Sequence, residues 1–326
     1  MGRALLAMLI ILLPPAARCS IPLWPHEQSC QTLLAEHPGL GIAAILAQQA
    51  DRAVGQNSEA RIATQLRELR GSNSFQEMGW VLGQTGYEEQ ANPLLFALGC
   101  FYLTAAVHEE TYLPGGATDS RRVRFVELEL EGVFKPRQNN LSASVGSEVG
   151  TYRLDRLLAL NMVPLTVRRS IFPRGEIGSL QYFIKNTIGG NKLAPAEQVK
   201  SAEMLLLDYF VKNIDRDPKN YLWHPGLRKL IAIDNGWCLR GNNPFALIKA
   251  RFVDKRSSQE KKLVFGEGRQ PSWALLHRLH DLTETEIRAA LEEVVSERAI
   301  LKLIKRKSKV LAAAARHPER SEGPPR

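Results

Sequence analysis

Apolar residues recur at three- and four-residue spacing through QTLLAEH, LGIAAILAQQADRAV and EARIATQLRELRG, between residues 31 and 71. That spacing predicts amphipathic helices, broken at Gly-Ser-Asn 71–73. ANPLLFALGCFYLTAAVHEE (91–110) is apolar all round and predicts a buried helix or helix pair, so residues 21–112 read as a helical region. The period changes after the turn-rich LPGGATDS (113–120). RVRFVELELEG alternates apolar and charged residues through Glu131, the signature of a half-buried strand, and Gly132 turns the chain into a second short run, VFK. A polar loop, QNNLSASVGS (138–147), precedes a helix that starts at a capping Ser147 and shows Tyr152, Leu154, Leu157 and Leu158 on its core face. PLTVRR and GSLQYFI (178–184) predict two more strands. From about residue 195 the chain is helical again, with a long buried helix ending at Asn213, polar loops beyond Asp234, and a last helix from Thr283 to about Ala315 opened by a Thr283–Glu286 capping box. The order strand, strand, helix, strand, strand, then helices, gives an α+β chain with a small sheet-bearing part (113–185) and a helical part (186–315).

The two ends read differently. MGRALLAMLIILLPPAARCS has an early Arg, a short apolar run, a Pro-Pro break and small residues, the three-part layout of a secretory signal peptide over residues 1–20. Its apolar run is about half of the ~20 residues a membrane helix needs. Secretion or a periplasmic location follows, with a cytoplasmic protein as the alternative. HPERSEGPPR at the C-terminus lacks apolar residues, and 316–326 reads as a disordered tail.

A formal net charge of +9 suits acidic partners, but its sources are scattered over 121–124, 167–169, 249–256 and 302–309. No basic stripe carries interleaved aromatics, which argues against a nucleic-acid platform. The basic side of the last helix (Lys302, Lys305, Arg306, Lys307, Lys309) reads as a solvated face, with membrane-surface contact as its functional alternative. Of the cysteines, Cys30 and Cys100 could form one disulfide in an oxidising compartment, or Cys30, Cys100 and Cys238 could all be buried thiols.

Candidate chemistry begins at KNIDRDPKNYLW (212–223) and IAIDNGW (231–237). Phosphoryl transfer from ATP needs a Lys on the α- and β-phosphates, a Glu to orient it, an Asp facing the attacking hydroxyl, and an Asn and an Asp for the bridging metal. In kinases these come in fixed order: strand Lys, helix Glu, Asp, Asn five residues on, then an Asp-x-Gly turn. Lys135 ends VFK, Glu148 opens the next helix, Asp215 and Asn220 have the five-residue offset, and Asp234 starts Asp-Asn-Gly. An Asp-x4-Asn pair alone arises roughly 0.6 times by chance in a chain this long. The pair is weak; the ordered set is not. Each residue also has an ordinary use: Glu148 at a helix dipole, Lys135 guarding an edge strand, Asp215 and Asn220 building a turn.

NIDRDPKN with AIDNG resembles the catalytic and metal-binding loops of the atypical kinases, which include the HipA toxin kinases, the phosphatidylinositol 3-/4-kinases and the secretory-pathway kinases of the Golgi casein kinase type. GVFKP, SEVGTYRLDRLLALNMVPLTVRR and GSLQYFI extend the likeness over residues 113–240. The helix with Glu148, Asp155-Arg156-Leu157-Leu158 and Val163-Pro164 looks most like the secretory branch; the Asn-x-Asp-Arg loop looks closer to HipA and the lipid kinases. The resemblance implies a two-lobed protein-kinase-like fold, a small antiparallel sheet lobe plus a helical lobe, preceded by the helical N-terminal region. It implies ATP with Mg²⁺ or Mn²⁺ as cofactors, Lys135 and Glu148 at the nucleotide, Asp215 as catalytic base and Asn220 and Asp234 as metal ligands. Tyr182, Phe183 and Ile184 would meet the adenine through backbone groups at the hinge; Gly115 and Gly116, with Thr118 and Ser120, read first as a plain turn, with a loop covering the phosphates as the alternative. The acceptor would be a hydroxyl on a protein, a glycan or a lipid, with a protein favoured.

One departure bears on activity. Asp217 stands where conventional protein kinases carry Lys, and its charge would repel the transferred phosphate unless Arg216, Lys219 or another metal offsets it. Two rival functions remain: an exported pseudokinase acting as a binding or scaffold module, and a lipid kinase working at a membrane surface.

Overall fold

The computed structural model describes residues 24–114, 119–137, 144–171, 175–194, 201–213, 215–239 and 272–314. The proposed signal peptide, the tail, and Gly115, Gly116 and Thr118 of the expected turn or phosphate loop lie outside them.

The helical N-terminal region comprises α1 (Glu27–Glu36), α2 (Ile42–Gly55), α3 (Ala60–Gly71), α4 (Phe75–Gln84) and α5 (Glu88–Thr104). Apolar residues on every side of α5 dictate its central place, and Leu94 to Tyr102 are all buried. It is one helix, with Pro93 inside it, rather than a pair. A disulfide joins Cys30 of α1 to Cys100 of α5, while Cys238 is a buried thiol.

The sheet starts earlier than the pattern indicates. Val107–Tyr112, expected in the helical region, is β1, followed by β2 (Arg121–Phe125), β3 (Glu131–Pro136), β4 (Thr166–Ile171) and β5 (Glu176–Tyr182). They form an antiparallel sheet in the order β1-β2-β3-β5-β4. The expected long strand through Glu131 is instead a hairpin. Leu128 and Glu129 have positive φ (61° and 48°), and the Phe125 N–H reaches back to the Leu130 carbonyl. Alternating Glu and Leu fits a strand and its turn equally, so the pattern could not show the break. Phe101 and Tyr102 of α5 pack on Phe125, and Tyr102 on Tyr182, which welds the helical region to the sheet.

Between β3 and β4 runs α6 (Val145–Leu157). Its cap is Ser144, whose side chain accepts from the Ser147 N–H; the expected cap, Ser147, instead donates its hydroxyl to the Cys238 carbonyl. After β5 come β6 (Ile188–Gly189), α7 (Ala202–Val211), β7 (Tyr221–His224) and β8 (Lys229–Ala232), the three strands forming a second antiparallel sheet. Residues 195–200 of the expected long helix lie outside the described residues. α8 (Trp273–Asp281) stands where polar loops were expected. The final helix is two: α9 (Glu284–Leu291), with the Thr283–Glu286 capping box in place, and α10 (Glu297–Ala314). At the break between them Val294 and Val295 lie against Gly146 and Gly150 of α6. The expected α+β, two-lobed, kinase-like layout with its helical N-terminal region is present.

The basic side of α10 is not wholly solvated. Arg306 donates from Nε to the Phe210 carbonyl at 2.7 Å, and burial pulls its pKa down to about 10. Lys307 donates to the His280 and Leu282 carbonyls. Both close helix ends whose carbonyls lack intrahelical partners. Among the described residues no helix is long and apolar enough to cross a membrane.

Candidate active site

In β3 the pleat sends Phe134 into the core and Lys135 to the other face, toward α6 and β8. The first turn of α6 brings Glu148 under it, buried at 2% exposure. Lys135 Nζ donates to Glu148 Oε1 at 2.6 Å and to Asp234 Oδ1 at 2.9 Å. The other oxygen of Glu148 accepts the Asn235 backbone N–H at 3.0 Å. One buried carboxylate therefore holds both the lysine and the Asp-Asn-Gly turn. Asp234 has φ 54°, a conformation Asp tolerates better than most residues. Burial alone would lower the Lys135 pKa, but Glu148 and Asp234 outweigh it and raise it. Burial opposes ionisation of Asp234, yet Lys135, then Arg216 and Lys219, hold its pKa below the ordinary carboxylate value.

The Asp215 loop is built by α7 and the residues after it. Ser201 caps the helix, and Lys212 at φ 55° ends it. The Asn213 side chain accepts the Asp215 N–H at 2.8 Å and donates to Asp208 at 3.2 Å. Pro218 opens a single 3₁₀ turn to Asn220. The Asn220 amide donates to the Asp215 carbonyl and, at 3.3 Å, to its carboxylate. Asp215 and Asn220 thus meet as the spacing implied. Gly190 backs this turn: a Cβ there would lie 2.4 Å from the Pro218 carbonyl.

Sequence reasoning missed the residue that joins the two loops. Arg216 is fully buried; its Nε donates to Asp208, Nη1 to the carbonyls of Asn220 and Ile233, and Nη2 to the Asn235 side chain. Its four nitrogen contacts commit it to the protein interior, while its charge, with that of exposed Lys219, still favours ionised Asp234. The available signal was Asp208, the one acid within the apolar MLLLDYFV, since buried charges need partners.

At the expected hinge the side chain of Tyr182 points away from the cleft, its hydroxyl directed to Glu77 and Asn73 of the helical region. The Tyr182 and Phe183 N–H groups go to the Leu165 and Glu131 carbonyls. Neither can donate to an adenine edge, so a donor would have to come from Ile184 or beyond.

Oxygen donors of this kind suit a hard cation. The Asn220 NH₂ faces Asp215, which leaves its Oδ1, like the Asp234 carboxylate, as an oxygen that could take a cation. Among the described residues no three His, Cys, Asp or Glu converge as a dedicated cage. A sparse Asp–Asn pair fits Mg²⁺ or Mn²⁺, which keep waters and take phosphate oxygens as further ligands.

No family model matches the sequence, and no curated protein does. Among solved structures, the chain is similar to the Golgi casein kinase, at 13% identity and a TM-score of 0.49, covering 96% of this chain and 95% of that one. The same kinase with Mn/ADP bound matches at 13% identity and 0.49 over 95% and 93%. A Helicobacter pylori proinflammatory kinase, CtkA, matches at 12% identity and 0.43 over 68% and 98%. At these values the likeness is remote and concerns chain path alone.

Proposed function

We propose that the chain is an ATP-dependent phosphotransferase that moves the γ-phosphate to a hydroxyl group, foremost that of a protein, with Mg²⁺ or Mn²⁺. The observation that carries this reading is the Glu148 carboxylate, which grips Lys135 on one oxygen and the Asp234 turn on the other. Lys135 has two acidic partners, and exchanging Asp234 for α- and β-phosphate oxygens leaves it paired with Glu148. Asp234, with Asn220, would then be the pair to hold the cation, which would neutralise charge on the phosphates. Asp215, its backbone fixed at both N–H and carbonyl, presents its carboxylate to the acceptor hydroxyl and takes its proton. Export to an oxidising compartment fits the Cys30–Cys100 disulfide.

The test uses purified protein with Mn²⁺ or Mg²⁺ and labelled ATP. Wild type should bind nucleotide only with metal and transfer phosphate to itself or to an added protein. Asp215→Ala should bind without transfer, and Asp234→Ala should lose metal-dependent binding. Binding that persists in both variants, with no transfer by any form, would leave a pseudokinase scaffold as the reading.

A further inference from the structure

The hinge end of the sheet is held from behind by the helical N-terminal region. Gln76 of α4 accepts the Leu165 N–H at 2.8 Å, and Tyr102 of α5 donates its hydroxyl to the Glu131 carbonyl, which also takes the Phe183 N–H. Tyr182, the last residue of β5, donates its hydroxyl to Glu77 Oε2 at 3.2 Å, with the Asn73 carbonyl at 3.4 Å as the alternative acceptor. All three contacts fall where β3, β4 and β5 converge on the crossover into the helical lobe. None belongs to the phosphate-handling set.

Glu77 is the unusual member. It is 1% exposed, and among the described residues no cation lies within ion-pair distance of it. The charged groups around it have other duties. Arg70 of α3 is taken by Asp51 and the Asn73 side chain, and Arg122 and Arg124 of β2 by Glu131. Lys185, exposed on the linker beyond the hinge, attracts Glu77 only weakly. Burial pushes the Glu77 carboxyl up to about 7, against small opposing effects of hydrogen bonding and Lys185. Burial likewise raises the phenols of Tyr102 and Tyr182, which stay neutral. Glu77 is thus the group of this cluster that titrates near neutrality.

We propose that Glu77 is a positioning residue for the nucleotide pocket, acting through Tyr182 on the hinge and coupling nucleotide affinity to its own protonation. The neutral carboxyl sits in the apolar seam and shares a hydrogen bond with Tyr182. The carboxylate is a buried charge that hydrogen bonds and Lys185 offset only in part, and it favours states in which water or Lys185 reaches it more fully. Those states require Tyr182 to move, and Tyr182 is one peptide from Phe183 and two from Ile184. Affinity should therefore fall as pH rises through neutrality. This inference rests on the phosphotransferase reading.

The experiment measures the dissociation constant of ADP with Mn²⁺ between about pH 6 and about pH 8.5, for wild type, Glu77→Gln and Tyr182→Phe. Wild type should weaken by about fivefold across that range, a coupling of ordinary size. Glu77→Gln, close in shape and never charged, should keep the low-pH affinity throughout. Tyr182→Phe, which cuts the link, should lose the pH step although Glu77 still titrates. A step of equal size in Glu77→Gln overturns the coupling while leaving the phosphotransferase reading standing. Wild type that binds no nucleotide at any pH overturns both.

Discussion

Arg216 and Asp208 form an ion pair at 3.1 Å with side-chain exposures of 1% and 0%, and the same guanidinium spans the Asn220 and Ile233 carbonyls. The loop bearing Asp215 and the turn bearing Asp234 therefore share one rigid support. Arg216→Met would leave Asp208 buried and unpaired, at a cost of about 3–5 kcal/mol. Urea unfolding followed by fluorescence should show that loss. Asp208→Asn with Arg216 kept should cost less, because the guanidinium still holds both carbonyls.

Lys135 and Glu148 should behave as a coupled pair. Lys135→Met strands the buried Glu148 carboxylate, whereas Glu148→Gln leaves Lys135 with Asp234 as partner. In a double-mutant cycle the Lys135→Met, Glu148→Gln protein should be more stable than the sum of the two single changes, by about 1–3 kcal/mol. On the proposed reading all three variants should lose phosphate transfer by at least about 100-fold, since each removes or unmoors the lysine proposed to meet the phosphates. Additive stabilities would show that the 2.6 Å contact does not act as a buried pair.

How far this could be read in advance depended on the kind of signal. Lys135, Glu148, Asp215, Asn220 and Asp234 stood out because their order matches what phosphoryl transfer would need, and the structure brings Lys135 to Glu148 and Asp234, and Asp215 to Asn220. β1 was not legible: VHEETY continues the helix in composition and becomes a strand only by pairing with β2. The Leu128–Glu129 turn was hidden inside a perfect alternation. Arg216 reads as a surface cation beside Asp217, and its burial becomes visible only when Asp208 is seen one helix earlier. The hinge was expected from its position in the chain, but the direction of Tyr182 depends on α4, which chemical motifs do not mention.

The Cys30–Cys100 bridge closes a loop of 70 residues between α1 and the buried α5. Constraining the unfolded chain over that separation should contribute about 2–4 kcal/mol. Thermal unfolding with and without a reducing agent should show a lower midpoint when reduced. A Cys30→Ala, Cys100→Ala protein should match the reduced form and be insensitive to the reagent. Equal midpoints in wild type with and without reductant would mean that the bridge does not form.

Glu77 also makes a stability prediction independent of nucleotide. Its carboxyl titrates from 4.5 unfolded to about 7 folded, so the folded state disfavours the charge. The penalty is absent below the unfolded value, grows between the two, and is complete above the folded one. Glu77→Gln removes it and should stabilise the protein by roughly 3 kcal/mol at about pH 8 and little at about pH 4.5. Urea midpoints across that range give the answer, and parallel curves for the two proteins would contradict a buried, unpaired Glu77.

The last prediction concerns Gly146, on the first turn of the helix that carries Glu148. A Cβ on Gly146 would lie 1.8 Å from the Val294 carbonyl oxygen, a backbone atom in the turn between α9 and α10. Such an approach admits only glycine, and the obstacle cannot rotate away as a side-chain tip would. Gly146→Ala must push the start of α6 away from that turn, and Glu148 sits two residues along the displaced segment. Because Glu148 ties Lys135 to the Asp234 turn at 2.6 and 3.0 Å, a shift of even a few tenths of an ångström degrades both contacts. The variant should therefore lose nucleotide affinity and stability together. Gly55→Ala at the end of α2, where a Cβ meets nothing, should leave nucleotide affinity unchanged and stability equal or slightly higher. Calorimetry of ADP binding alongside thermal unfolding compares the two, and a Gly146→Ala protein with wild-type values in both would break the proposed link between α6 packing and the site.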